Sequence, residues 1–426
     1  MTKNDESRKA NMAAINNISA AKSIEEVKVR RNLLEDLALK NIYLIGEISV
    51  YELARHMGLP VRIVDELFQR LRKDQLCHFS GNIKGIQLIT TTSAGKSRAL
   101  ELLAQNQYSG PAPVSIEDYV SRINAQSVSS MKTTPGALRQ AFEDLVLDPQ
   151  ILDQLGTAVV SGRAIFLYGP TGTGKTTIAE TLGQLFEKDM VWLPYAVEVD
   201  GQIITVYDPL LHHRVEQATS LDDDGRWVMC RRPRVMAGGE LAVEMLDLQF
   251  NTSTKFYTAP LQMKANNGLL IIDDFGRQRI NPEELLNRWV VPLDRRVDFL
   301  TLAGGQKIKV PFDPLVVFAT NLNPAKLVDE AFLRRIQTKI FVGFVSPEQF
   351  REIFRRVCLK HNLQYDTGLA DDLIQMISRE YKETLRACYP RDILNQVVWE
   401  AQYLQKEPCL NQEAIAQACR SYFLPV

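Results

Sequence analysis

An apolar run that passes directly into a glycine-rich loop and then into a helical pattern constrains this chain more than any other feature. Ala164-Ile-Phe-Leu-Tyr168 leads into Gly169-Pro170-Thr171-Gly172-Thr173-Gly174-Lys175-Thr176-Thr177, and Ile178, Leu182, Leu185 and Phe186 continue at helical spacing. Glycines at 169, 172 and 174 allow a turn tight enough for successive N–H groups to face phosphate oxygens, with the positive end of the next helix behind them. Lys175 is expected to reach the β- and γ-phosphates, and the Thr176 hydroxyl to ligate Mg²⁺. A chance glycine-rich loop would lack the strand before it and the helix after it.

A second apolar run, Leu269-Leu-Ile-Ile272, ends in Asp273-Asp274. A buried strand that delivers a carboxylate beside a phosphate cradle is what Mg²⁺ coordination needs, so Asp273 is the expected metal-side acid. Asp274, one residue further, would face the other side and polarise an attacking water. A third run, Leu315-Val-Val-Phe-Ala-Thr320, ends at Asn321, which could orient that water or contact the γ-phosphate; Asn-x-Asn-Pro is also an ordinary turn signal. Arg334 and Arg335 close the next short helical pattern, where cations suit the helix dipole.

Strand patterns recur at 164–168, 190–193, 268–272, 315–319 and 339–345, with helical patterns between them, which predicts a doubly wound parallel sheet. The 426 residues suffice for two to three domains. Residues 1–25 read as a flexible tail. Residues 26–106 hold three helical patterns, with Gly58-Leu-Pro60 as a turn, then a hairpin and a closing helix, an order that resembles a winged-helix domain. The Gly/Pro-rich start of 107–130 reads as a linker, 131–345 as the nucleotide-binding core, and 346–426 as a helical lid opened by Ser346-Pro-Glu.

The order of motifs over residues 131–426 resembles the AAA+ ATPase superfamily. The resemblance implies ATP and Mg²⁺ as cofactors and turnover in a ring or filament. It makes Asn321 a sensor, Arg335 an arginine finger with Arg334 as runner-up, and Arg391, in Tyr389-Pro-Arg391-Asp, a second sensor in the lid. A finger acting in trans contributes about 10³–10⁵ to turnover, so such an enzyme works as an oligomer. In the family, Glu usually stands where this chain has Asp274, and the shorter side chain predicts slow hydrolysis or a nucleotide-gated switch. The alternating runs around Ala303-Gly-Gly, between Val297 and Val310, read as a β-hairpin and look like the pre-sensor hairpin of MoxR-type and enhancer-binding-protein ATPases.

The long stretch from Asp200 to Asn267 includes Arg226-Trp-Val-Met-Cys-Arg-Arg-Pro-Arg234 and Ala237-Gly-Gly-Glu240. One reading is a cationic, aromatic loop that grips a polypeptide or nucleic acid; the other is a hairpin packed on the sheet. His212 and His213 lack a carboxylate or cysteine at metal spacing and read as packing or surface residues.

The winged-helix-like unit is weakly basic, and its third helical pattern carries Arg62, Arg70, Arg72 and Lys73 together with Asp65 and Glu66, so docking to DNA and docking to protein both stand. With a net charge of −1, no global field draws nucleic acid or an anionic membrane. Six scattered cysteines form no Cys-x-x-Cys pair, and no apolar stretch approaches a membrane span, so a cytoplasmic protein is expected. The resulting expectation is an oligomeric ATPase that remodels or chaperones a protein complex. A DNA-directed ATPase and an ATP-dependent scaffold with little turnover are the alternatives.

Overall fold

The computed structural model describes residues 18–216, 223–327 and 333–424, apart from Lys84, Lys132 and Lys188. Its centre is a five-stranded sheet in the order Arg234–Ala237, Leu269–Ile272, Leu315–Thr320, Ile165–Tyr168, Thr338–Phe341, with every neighbouring pair parallel. Leu269–Ile272 and Leu315–Thr320 are buried at every position, as strands covered on both faces must be. On one face Phe166, Phe275, Phe312 and Phe318 pack around Trp289 of the helix Pro282–Arg295. On the other, Leu155, Ile178 and Leu182 cover Ile165, Ile271 and Val317.

One expected strand of this sheet lies elsewhere. Met190–Pro194 is extended but pairs antiparallel with Trp227–Arg231, and Arg234–Ala237 takes the edge position. The apolar run reported burial correctly: Val191 and Leu193 pack with Val228 and Cys230, while Trp192 joins a different cluster. Burial alone does not name the partner strand.

The stretch read as a linker is also folded. Val114–Ser115 pairs with the strand Ala196–Val199, and the helix Ile116–Ala125 buries Tyr119 and Ile123. The Tyr119 hydroxyl accepts from Asn266 Nδ2 at 2.8 Å. The i, i+4 pair Tyr119/Ile123 was the signal that the Gly/Pro content of the preceding residues obscured. Of the expected tail, residues 1–17 lie outside the described residues, whereas Ile18 and Ile24 are buried.

Residues 200–267 form no free gripping loop where they are described. Gln202–Thr205, Tyr257–Thr258 and Gln249–Phe250 extend Ala196–Val199 into a second sheet. The hairpin Val297–Thr301/Lys307–Pro311 packs on that sheet through Leu300, Leu302, Ile308 and Val310. Arg226 is 3% exposed, bonded to Asp224 and to the Val27 carbonyl, and Trp227 is buried beside it. His212 is a packing residue: its Nδ1 accepts from Asp208 N at 2.9 Å and its Nε2 donates to the Lys264 carbonyl.

The N-terminal unit comprises helices Arg31–Ile45, Val50–Met57 and Val61–Lys73, the antiparallel strands Cys77–Ile83 and Ile86–Thr91, and the helix Ser93–Gln105. Ser49 and Glu52 form a capping box at the second helix, and Gly58, at φ 64°, ends it. Gly58 lies against Gly225, just before the strand Trp227–Arg231, where a Cβ would come within 2.4 Å of the Gly225 carbonyl oxygen. Gly58→Ala is therefore expected to lose about 1–3 kcal/mol from overpacking and left-handed strain, and to expose this contact to proteolysis. Wild-type protease resistance in the variant would remove the contact as a joint between the units.

Residues from Ser346 onward form helices Pro347–Lys360, Thr367–Gln375, Tyr389–Tyr403 and Gln412–Tyr422 around Phe350, Phe354, Ile393, Leu394 and Ile415. Ser346 and Gln349 form the capping box that starts this bundle.

Candidate functional site

The glycine loop opens at the C-terminal end of Ile165–Tyr168 and feeds the helix Lys175–Leu182. Gly169 has φ 146°, and a Cβ there would meet the Val342 carbonyl oxygen at 2.2 Å, so the loop lies hard against the neighbouring strand. Gly174 has φ 92° and faces open space, with no atom within 4 Å of a would-be Cβ. The Pro170 carbonyl accepts from Lys175 Nζ at 2.6 Å and from Thr173 Oγ1 at 3.0 Å. Burial pulls the Lys175 ammonium below lysine's ordinary range, while the carboxylates of Asp273 and Asp274 act in the opposite sense.

Asp273 and Thr176 meet as the two sequence motifs require. Thr176 Oγ1 donates to Asp273 Oδ1 at 3.0 Å and Oδ2 at 3.1 Å. A hydroxyl beside a carboxylate is a hard-oxygen donor set that suits Mg²⁺, an ion that takes few protein ligands and leaves the rest to phosphate and water. Among the described residues no cluster of three or more His, Cys, Asp or Glu could hold a metal by itself.

Asn321 reaches the same place, its Nδ2 donating to Thr171 Oγ1 at 3.0 Å. Asp274, Asn321 and the loop from Thr171 to Thr177 all line one cleft of about 1610 Å³ between the sheet and the C-terminal bundle. Arg391 lines it from the bundle side with its side chain 62% exposed and paired to Asp392 at 2.9 Å. Arg335 and Arg334 are outside this cleft: Arg335 Nε pairs with Asp294 Oδ2 at 3.0 Å, and Arg334 is exposed.

Several features of the cleft have no motif in the sequence. Leu145, Leu147 and Ile151, from before the glycine loop, and Ile353 and Val357 of the bundle add apolar side chains to its lining. The Cys388 N–H, at the start of the helix Tyr389–Tyr403, donates to the Gly172 carbonyl at 3.1 Å. A Cβ on Gly172 would lie 2.6 Å from Cys388 Sγ, so the loop and the bundle touch directly. The Gln278 side chain, four residues beyond Asp274, bonds back to the Asp273 carbonyl.

A sequence profile described as a domain of unknown function, DUF8689, matches residues 346–421. The uncharacterized protein YojN of Bacillus subtilis (strain 168) is 38% identical over 60 residues, a match covering 14% of this chain and 20% of that protein. The chain thus matches about a fifth of that relative's length. Solved structures of similar arrangement come from Thermotoga maritima. A mutant RuvB has a TM-score of 0.39 at 12% identity, covering 66% of this chain and 71% of that one. Domain III of the replication initiation protein DnaA has a TM-score of 0.38 at 14% identity, covering 69% and 100%. The RuvB Holliday junction branch migration motor has a TM-score of 0.37 at 14% identity, covering 65% and 69%.

Proposed function

We propose that this chain is an AAA+ type ATPase that binds ATP with Mg²⁺ in the cleft between sheet and bundle and uses turnover in an oligomer to remodel a protein complex. The observation that carries this reading is the Thr176–Asp273 pair beside an open glycine cradle, with Asp274 and Asn321 lining the same cleft. Bound Mg²⁺ would supply charge neutralisation at the β- and γ-phosphates. Lys175 would exchange the Pro170 carbonyl for phosphate oxygens, and the N–H groups from Gly172 to Thr176 would hold them. Asp274 would take the proton of the attacking water, and Asn321 would orient that water. The Gly172–Cys388 hydrogen bond ties cradle to bundle, so rearrangement of the loop is transmitted to the helices above it. Arg335, or Arg334 beside it, would complete a neighbour's site, since neither lines the cleft of its own chain.

Protein docking by the N-terminal unit is favoured over DNA by its ion pairs. Arg31 pairs with Glu66 at 3.0 Å, Arg70 with both Glu35 and Asp74 at 3.9 Å, and Arg72 lies over the Phe79 ring at 5.2 Å. Cations so engaged have partners to give up before meeting phosphates. Among the described residues no helix is long and apolar enough to cross a membrane, and the six free thiols, four of them buried, suit a reducing cytoplasm.

The test is ATP turnover per chain against protein concentration, with and without duplex DNA. Turnover that rises with assembly and ignores DNA is the expected outcome. A flat, near-zero rate would favour a nucleotide-dependent scaffold, and stimulation by DNA that fades with salt would favour a DNA-directed enzyme.

A further inference from the structure

Asp274 has a backbone φ of 48°, in the left-handed region. L-residues avoid this region, Asp and Asn tolerate it best among them, and such a conformation persists only where the surroundings over-determine it. Several hydrogen bonds do so here. Phe275 N donates to the Ala319 carbonyl at 2.8 Å, Arg277 N donates to the Asp274 carbonyl at 3.0 Å, and the Thr320 hydroxyl donates to the Phe275 carbonyl at 2.6 Å.

Gln278 adds a side-chain amide that spans the turn from both sides. Its Nε2 donates to the Asp273 carbonyl at 2.7 Å, and its Oε1 accepts from Gly276 N at 2.8 Å. Gly276 itself, at φ 101°, packs closely here: a Cβ would come within 2.7 Å of a Leu327 methyl and 3.0 Å of a Leu322 methyl. Leu322 follows Asn321 directly and Leu327 ends the short helix Pro324–Leu327 after it, so the turn bearing Asp274 packs against the segment bearing Asn321.

Resting on the ATPase reading above, we propose that Gln278 is a positioning residue, whose amide bridges Asp273 and Gly276 and so locks the left-handed turn that presents the Asp274 carboxylate to the cleft. This gives a reason for aspartate at 274 that is independent of slow chemistry. A left-handed turn favours Asp, and the bracket, rather than side-chain length, sets where the acid stands.

The experiment uses the full chain with Gln278→Ala and Gln278→Glu. In the alanine variant kcat is expected to fall by about 10- to 100-fold, the scale of a misplaced catalytic group, while KM and the affinity for a fluorescent ATP analogue stay at wild-type values. In nucleotide-free protein, amide hydrogen exchange across residues 273–278 is expected to quicken. Gln278→Glu keeps length and acceptor but loses the donor while ionised. At neutral pH its kcat is therefore expected to fall on the same scale as that of the alanine variant, with nucleotide affinity kept. Because it preserves the side chain's shape, it also serves if the alanine variant fails to fold.

Unchanged kcat and exchange, or kcat and nucleotide affinity falling together, would overturn the assignment while leaving the ATPase reading intact. A wild-type chain without turnover would overturn both.

Discussion

Lys175→Ala is expected to lower ATP turnover by about 10²–10³-fold, the usual cost of removing one preorganised charge from a phosphoryl-transfer site, and to weaken Mg·ATP binding with it. The ammonium is the one lysine of the glycine loop, it is 8% exposed, and it is held at the cradle's rim by the Pro170 carbonyl 2.6 Å away. Burial pulls the ammonium below lysine's ordinary range, while Asp273 and Asp274 act in the opposite sense, and an incoming phosphate would add to their side of that balance. Lys175→Arg tests the geometry separately from the charge. A planar guanidinium keeps the positive charge but not the compact ammonium, so it should recover only part of the loss. Fluorescent nucleotide titration and a phosphate-release assay on the same preparations read both effects. Wild-type affinity in Lys175→Ala would exclude the glycine loop as the phosphate site. Folding should be little affected, because the Thr176–Asp273 pair and the strands beneath do not depend on this side chain.

Asp313→Ala is expected to destabilise the chain by about 3–5 kcal/mol, the range for removing one member of a buried charged network. Its carboxylate accepts from Ser127 Oγ at 2.7 Å, Val128 N at 2.9 Å and Asn267 Nδ2 at 2.7 Å, with Arg296 NH1 at 3.8 Å. Asn267 in turn accepts from Gln126 Nε2, which also donates to the Trp192 carbonyl, and Arg232 NH1 donates to the carbonyls of Gln126 and Asn267. This network ties the helix Ile116–Ala125, the antiparallel pair at 190–194 and the lower end of the central sheet to one another. Alanine would leave several buried donors without an acceptor, which costs more than the missing bonds themselves. Asp313→Asn, with one acceptor oxygen in place of two, should lose less. Urea unfolding followed through tryptophan fluorescence reads the change, since Trp192 is bonded to Gln126 through its own backbone. A loss under about 1 kcal/mol in Asp313→Ala would mean that the network is not coupled as its geometry implies.

How much of the site was legible follows from how its parts are encoded. The Gly169–Thr177 loop, the acids at 273 and 274 and the amide at 321 each end an apolar run, and in a parallel sheet the C-terminal ends of strands converge on one side. Three short local patterns were therefore enough to anticipate that Thr176, Asp273, Asp274 and Asn321 would face one cleft. The helices of the N-terminal unit and the hairpin at 297–311 were likewise readable, because their periodicity and turn residues are local.

What only the tertiary structure decided is pairing and direction. Met190–Pro194 is a strand by its residues, but its partner is Trp227–Arg231, chosen by contacts more than 30 residues apart in sequence. Arg226 carries a charge that reads as exposed, yet Asp224 and the Val27 carbonyl enclose it, and Tyr119 and Ile123 turn an expected linker into a buried helix. The length of Asp274 suggested slow chemistry; its left-handed backbone and the Gln278 bracket supply a geometric reason for the same residue. Local sequence determined which segments are strands, turns and cradles, because hydrophobic period and glycine freedom act over a few residues. The fold decided which buried edges meet and where each polar group finds its partner, because those energies arise between residues that only the folded chain brings together.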